Sequence, residues 1–155
     1  MKITDALRGE HAVLYVIFDF VRDTISNSED ITIIKNSVSV LERTLLSHAE
    51  IEDNFLFPEL DPHIAGMGPL EMMRTEHQSI DEILKSYRDE NDVDALKALI
   101  RQLIDLAFGH FQKEEMALFA MAEQFLTDDE LTALGDKWAE KRNVVVDGHS
   151  CISAA

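Results

Sequence analysis

The sequence is poor in the residues that make turns. Its 155 residues include only 3 prolines and 6 glycines, whereas turn-rich β-sheets depend on both residue types. The apolar share of 46% comes mainly from Leu, Ile, Ala and Met, which suit helices. We therefore expect an all-α fold rather than a sandwich or barrel, with a single core, because the length suits one domain.

Cysteine and long apolar runs are also scarce. The one cysteine, Cys151, has no partner for an internal disulfide, and the first ten residues lack the apolar core of a signal peptide. Charged residues interrupt every apolar stretch before it reaches the ~20 residues that span a bilayer. The sequence therefore predicts a cytoplasmic protein with no membrane partner.

Basic residues are few. The chain has 14 Lys and Arg against 30 Asp and Glu, which gives a formal net charge of −16. A protein this acidic repels a phosphate backbone instead of neutralising it. We therefore expect no nucleic acid partner.

Apolar residues recur at alternating spacings of three and four in four segments, as on the buried stripe of a bundle helix. The first segment follows Thr4, a candidate helix cap, and the second begins after Asp30 and is expected to stop before Pro58. The third begins at Pro69, after a loop that runs from Pro58 to Gly68. Each segment is long enough to form one helix of a bundle.

A fifth, short helix is predicted near the C-terminus. Thr127 and Glu130 have the spacing of a capping box, and the helical pattern after them lasts until about Arg142. Short polar connections join the first segment to the second and the third to the fourth, which suits antiparallel neighbours. The sequence thus predicts an up-and-down antiparallel four-helix bundle with a short fifth helix, in a domain of residues 1–143 with a tail at 144–155.

The two halves of the bundle resemble each other. An Arg-x-Glu-His sequence precedes a His-x3-Glu pair in each half, and such a repeat indicates two helical hairpins related by an approximate two-fold. Residues four apart lie on one face of a helix, so each pair directs an imidazole and a carboxylate into the bundle. The repeated residues are His11, His48 and Glu52 in the first half and His77, His110 and Glu114 in the second.

This arrangement suits a symmetric site for two metal ions. Carboxylates bridge ions that are ~3.5–4 Å apart while each imidazole binds one ion, and Glu52 and Glu114 are the natural bridges. Imidazole with carboxylate is a ligand set that suits iron first, then manganese or zinc. A metal-free polar core is the alternative, because a single histidine on an apolar stripe is more often a hydrogen-bonded core residue, and Arg8 and Arg74 are candidate partners for nearby glutamates.

Other polar residues lie near these pairs. Tyr15, one turn after His11, is a candidate for a hydrogen bond close to the metals. Glu10 and Glu76 can orient neighbouring groups, although surface carboxylates are the commoner outcome. We expect Trp138, on the fifth helix, to cover an open side of the bundle.

The pattern resembles the hemerythrin-like, or HHE cation-binding, family over roughly residues 4–125. The resemblance implies a non-haem di-iron centre with an oxo or hydroxo bridge, in which the first two helices serve one iron and the next two serve the other. Manganese and zinc are substitutes. The ligands that it implies are His11, His48, Glu52, His77, His110 and Glu114.

The chain differs from the oxygen-carrying hemerythrins in two places. Those proteins have a His-x3-His pair on the third helix, whereas here Met73 and Asp81 lie one turn before and after His77. They also have an Asp five residues after the last His, whereas here Glu114 follows His110 by four. The set of four His and two Glu is closer to the iron–sulfur-repair and iron-sensing branches. The Glu-x-x-His spacing of ferritin-like proteins is absent.

Two classes of function follow from the resemblance. The first is a protein that senses, binds or carries iron or a diatomic gas, O2 or NO. The second is a repair or stress-defence factor that acts on nitric oxide, peroxide or damaged iron–sulfur clusters; such factors usually carry a cysteine-containing segment before the first ligand, so the position of His11 favours the first class. The expected partner is a diatomic ligand or peroxide, a redox partner is a further candidate, and the oligomeric state and any enzymatic turnover stay open.

Overall fold

The computed structural model describes residues 1–64 and 68–145. Two π-helical turns, Glu52–Leu56 and Glu114–Leu118, continue one helix into the next. This part of the chain contains no strand, so the prediction of an all-α fold is confirmed. The α-helices are α1 (Ile3–Asn27), α2 (Ile31–Ile51), α3 (Phe57–Ile64), α4 (Pro69–Asp89), α5 (Val93–Lys113), α6 (Phe119–Phe125) and α7 (Asp128–Arg142).

The helices form the predicted bundle. α1 packs on α2 and α5, and α4 packs on α5 and α2; α3 and α6 extend α2 and α5 beyond the π-helical turns. α7, the predicted fifth helix, packs against α1 and α6. None of the described helices combines the length and apolar character that crossing a bilayer requires.

Local sequence signals set most of the helix ends. Asp30 caps α2 by accepting hydrogen bonds from two backbone amides, and Asp92 caps α5 by accepting one from the amide of Ala95. Pro69 occupies the first turn of α4, where its missing N–H costs nothing. Thr127 and Glu130 form the predicted capping box at the start of α7.

The predicted end of the second helix is wrong. The helix does not stop before Pro58 but runs through the first π-helical turn into α3, which ends at Ile64. Pro58 is the second residue of α3, just past the turn that ends at Leu56, and a missing N–H is tolerated in the first turn of a helix. The predicted loop is therefore largely helix, with His63 exposed on it.

The predicted cap of the first helix is also wrong. α1 begins at Ile3 after Lys2, and Thr4 lies buried inside the first turn. Packing of Ile3 and Leu7 in the core draws this turn into the helix, so tertiary contacts override the capping preference of Thr4. The predicted tail begins with Val144 and Val145, which are not helical, and its remaining residues, including Cys151, lie outside the described residues.

The core consists of two apolar clusters with a polar layer between them. One cluster includes Leu14, Phe18 and Leu103, and the other includes Leu7 and Phe57 together with the buried face of α7. On each of the four long helices the predicted metal ligands lie between the residues of one cluster and those of the other. The apolar clusters thus exclude water from both ends of the polar layer.

Candidate metal centre

All six predicted ligands converge in this buried layer. His11 and His48, here the first histidine pair, come from α1 and α2. His77 and His110, the second histidine pair, come from α4 and α5. Glu52 and Glu114, the shared glutamates, contribute to both groups, and in each group the candidate ligand atoms lie within 4.8 Å of one another.

The two rings of each histidine pair face each other through Nε2. The Nε2 atoms are 3.1 Å apart between His11 and His48, and 3.0 Å apart between His77 and His110. The first two helices therefore serve one position and the next two serve the other, as the resemblance implied. A cation at each position would be within reach of two imidazole nitrogens.

The shared glutamates span the two positions. Glu52 places Oε1 3.4 Å from Nε2 of His48 and Oε2 3.3 Å from Nε2 of His77. Glu114 likewise directs one oxygen to within 3.3 Å of the first pair and the other to within 3.2 Å of the second pair. Each carboxylate thus offers one oxygen to each position, which is what a bridge between two ions requires.

The shared glutamates lack hydrogen-bond donors. All four of their oxygens are buried, and none accepts an aligned hydrogen bond within the described residues. Glu42, a buried carboxylate elsewhere in the bundle, accepts instead from the Tyr87 hydroxyl and the Arg88 guanidinium. Buried carboxylates without donors cost several kcal/mol unless a cation compensates them, so these residues fit bound metal ions.

An outer carboxylate holds each histidine of α2 and α5. Glu10, which precedes His11 on α1, lies with Oε2 2.8 Å from Nδ1 of His48. Glu76 occupies the equivalent place on α4, with Oε2 2.9 Å from Nδ1 of His110. Both glutamates are largely buried, so the expectation of surface carboxylates is wrong for them.

The histidines of α1 and α4 have outer carboxylates too. Glu115 lies 2.8 Å from Nδ1 of His11 and also accepts the Tyr15 hydroxyl at 3.1 Å, which confirms that Tyr15 bonds next to the site. Burial, together with Glu115, raises the pKa of Tyr15 to about 12. Asp53 is 3.3 Å from Nδ1 of His77, a contact that is not aligned as a hydrogen bond.

The three aligned outer contacts, at His11, His48 and His110, fix which ring nitrogen carries the proton. A carboxylate only accepts, so Nδ1 donates and Nε2 of a neutral ring is left with a bare lone pair. Two such lone pairs about 3 Å apart repel each other unless a proton or a metal ion lies between them. Outer carboxylates hold metal-bound histidines in the same way in other metal sites.

Without metal, the carboxylates of the layer favour the protonated forms of His48 and His77. Burial opposes protonation of His48, but the Glu52 carboxylate and the hydrogen bond to Glu10 outweigh it and raise the pKa of His48 to about 10. Burial opposes protonation of His77 too, but Asp53 and Glu52 raise the pKa of His77 to about 10. Burial favours the neutral form of Glu52, yet His48 and His77 hold the pKa of Glu52 well below its usual range.

Arg8 and Arg74 do not form the metal-free polar network in which they would pair with Glu10 and Glu76. Arg8 donates to Glu123 at 2.9 Å, and Arg74 lies 3.6 Å from Asp61. Neither arginine therefore neutralises the buried layer. Among the described residues, the positive charge nearest to the shared glutamates is that of protonated histidines, and a bound cation would add to it.

Sequence reasoning did not single out Asp53 and Glu115. Each directly follows a shared glutamate, so Glu52-Asp53 recurs as Glu114-Glu115, and the internal repeat contained the signal. Each shared glutamate also begins one of the two π-helical turns. Such turns are frequent at functional sites.

A cavity connects the layer to solvent. It has a volume of about 570 Å³, lies between α2 and α4, and is lined by His48, His77 and His110 together with Ala49 and Phe111. Three of the four histidines therefore line the cavity, and His77 has the most exposed side chain of the three, at 11%.

Comparison with known proteins identifies the domain. Residues 2–122 match the family model described as "Hemerythrin HHE cation binding domain", and a second match covers residues 69–137. The chain belongs to this family. The second match begins where the second hairpin of this hemerythrin-family bundle begins, in keeping with the internal repeat. The coarser prediction of a metal-binding domain is thereby confirmed, whereas the identity of the metal stays a prediction.

One curated relative is a "DNA nickase" from Nostoc sp. (strain PCC 7120). It is 24% identical over 140 residues, which are 90% of this chain and 37% of the relative. The chain thus spans little more than a third of that protein. No solved structure matches the chain.

Proposed function

We propose that this hemerythrin-family protein binds two iron ions in the buried layer and that it binds or senses a diatomic gas there. The observation that carries the proposal is the set of four donor-less carboxylate oxygens of Glu52 and Glu114 between two histidine pairs. Imidazole with carboxylate suits iron, manganese and zinc, and we favour iron among them because the resemblance to the hemerythrin family implies it. When bound, ferrous iron supplies the capacity to bind a diatomic gas and to give it electrons.

The residues of the chain have distinct parts in this function. The histidine Nε2 atoms and the shared glutamates bind the metals, and the outer carboxylates orient the rings. The two apolar clusters keep bulk water out of the layer. The cavity between α2 and α4 admits a small molecule to His77 and His110.

Metal analysis tests the proposal first. Full-length protein that is purified and supplied with ferrous iron without oxygen should hold close to two iron ions per chain, because each histidine pair with its two shared oxygens makes one position. A measured content near one or zero would contradict it. Manganese or zinc at the same stoichiometry, with weaker iron binding, would support the metal site and reject iron.

Reaction with small ligands separates binding from turnover. Absorbance of the iron-loaded protein on mixing with O2 or NO should change reversibly if the protein binds or senses these gases. Steady consumption of nitric oxide or peroxide would instead support the alternative, a stress-defence or cluster-repair factor with a redox partner. We favour reversible binding.

The cavity provides a sharper prediction. Ala49 follows His48 and lines the cavity, so Ala49→Trp should fill the opening and slow association of NO or azide several-fold while metal content stays unchanged. Ala12→Trp is the matched control, since Ala12 follows His11 but is exposed on the outside of α1. Stopped-flow absorbance measures both rates. Equal rates in the two variants would show that ligands enter elsewhere.

DNA cleavage is not proposed for this chain. The Nostoc relative is named a DNA nickase, but the matched segment is 37% of that protein, and the net charge of −16 opposes binding to DNA. We propose a cytoplasmic location, because a chain with a single cysteine suits a reducing compartment.

A further inference from the structure

We propose that α7 supports one half of the metal layer: Trp138 and Arg142 are positioning residues that hold Glu10 and, through Glu10, the ring of His48. The inference rests on the proposed metal site and assigns a role to the fifth helix. It also makes the two metal positions unequal, which the internal repeat alone does not predict.

The Glu10 carboxylate is fully occupied by this arrangement. Oε1 accepts from the Trp138 indole N–H at 2.6 Å and from Arg142 Nε at 2.7 Å. Oε2 accepts from His48 Nδ1 at 2.8 Å and from Arg142 Nη2 at 3.1 Å. Only 15% of the Glu10 side chain is exposed, so its orientation is set by these donors.

Arg142 also bonds to the residue next to His48. Its Nη1 donates to Ser47 Oγ at 2.6 Å, and its Nη2 donates to the Ser47 carbonyl at 2.9 Å. The planar guanidinium therefore connects Glu10 on α1, which bonds to the His48 ring, with Ser47 on α2, the residue before His48. A lysine lacks the fork that makes these bonds together.

α7 is packed too closely to rotate away from Glu10 freely. A Cβ placed on Gly135 would lie 2.0 Å from the Met1 carbonyl oxygen, so only glycine fits where α7 meets the start of α1. Nearby, Leu131 and Leu134 are buried in the apolar cluster that contains Leu7 and Phe57. The helix thus holds the indole and guanidinium in one place.

The second half of the layer has no equivalent support among the described residues. Glu76, the counterpart of Glu10, accepts from His110 and from Lys113, one flexible side chain on the same helix as His110. The outer contact of His77 is the misaligned Asp53, and 11% of the His77 side chain is exposed, against none for His11. The first histidine pair is therefore held more firmly than the second.

The consequence is an order of metal release. Iron should leave in two phases of similar amplitude when the loaded protein is mixed with a ferrous chelator, with the second histidine pair losing its ion first. Removing an outer partner of a metal-bound histidine typically costs roughly 10–100-fold in metal affinity. Arg142→Ala and Trp138→Phe leave Glu10 in place but remove donors that orient it, so each should accelerate the slower phase several-fold, up to the lower end of that range, and leave the faster phase unchanged.

Lys141→Gln is the matched control. Lys141 precedes Arg142 on α7 and makes an exposed ion pair with Glu50, so its loss should leave both phases as in the parent. Circular dichroism of Trp138→Phe, which keeps most of the aromatic packing, should show the same helix content as the parent. A slower phase that is unchanged in both variants, or two phases that accelerate equally, would overturn the inference.

A second readout needs no metal. In the metal-free protein the Nδ1–H proton of His48 is buried and donates to Glu10, so its exchange with water, followed by NMR, should be slow. It should quicken in Arg142→Ala and Trp138→Phe and stay slow in Lys141→Gln. If the parent binds no iron, the proposed function is rejected, but the role of α7 is not. If the exchange rate is unchanged in both variants, the role of α7 is rejected, whether or not the protein binds iron.

Discussion

Glu52→Ala and Glu114→Ala should each reduce the metal content from two ions per chain to none. Each shared glutamate directs one oxygen at each histidine pair, so a single substitution removes a ligand from both positions at once. His77→Ala strips a ligand from the second position only and should retain one ion. Metal analysis after loading and desalting measures all three outcomes.

Glu50→Ala is the control for these substitutions. Glu50 lies two residues before Glu52, is exposed, and contacts Lys141 at the surface, so its variant should still hold two ions. Glu52→Gln keeps the size of the side chain but removes its charge and one acceptor oxygen, and we expect it to behave like Glu52→Ala. Retention of one ion in Glu52→Ala would show that the two positions do not share this carboxylate.

The sequence predicted the architecture and the convergence of the six side chains because both depend on periodicity. A spacing of four places His48 beside Glu52 on any helix, and the repeat places His110 beside Glu114 in the same way. Asp30 and Thr127 then mark helix starts through contacts within three residues. Information of this kind is local, so a single sequence contains it.

The parts that sequence reasoning missed depend on contacts between distant residues. Trp138 and Arg142 reach Glu10 from the other end of the chain, and no periodicity connects them. Glu10 and Glu115 look like surface carboxylates because they lie off the apolar stripe. Each nevertheless contacts a histidine on a different helix, and spacing along a single helix does not predict such a contact.

The π-helical turns were missed for a related reason. A spacing of three and four assumes a uniform α-helix, and nothing in that pattern distinguishes the widened turn that begins at Glu52 or at Glu114. The pattern consequently predicts a stop at Pro58. In the structure the helix continues through this proline, two residues after the widened turn ends at Leu56.

Met73→His should strengthen the weaker metal position. Met73 lies one turn before His77 on α4 and is 1% exposed, so a histidine there places a third imidazole beside the second pair. An outer partner is worth roughly 10–100-fold in metal affinity, so a direct ligand should slow the faster phase of iron release by at least about tenfold. The additional ligand also occupies an open coordination position, and we expect weaker azide binding and slower oxidation by O2.

Met72→His separates this effect from the mere addition of a histidine. Met72 is the neighbouring residue on α4 but is 44% exposed, so its variant should release iron and react with O2 as the parent does. In the metal-free protein a histidine at position 73 lies among apolar side chains, which should lower the melting temperature of Met73→His but not that of Met72→His. Binding of iron by the new histidine should recover the lost melting temperature. If Met73→His and Met72→His released iron at the same rate, the absence of a second histidine on α4 would not be what keeps the second position open.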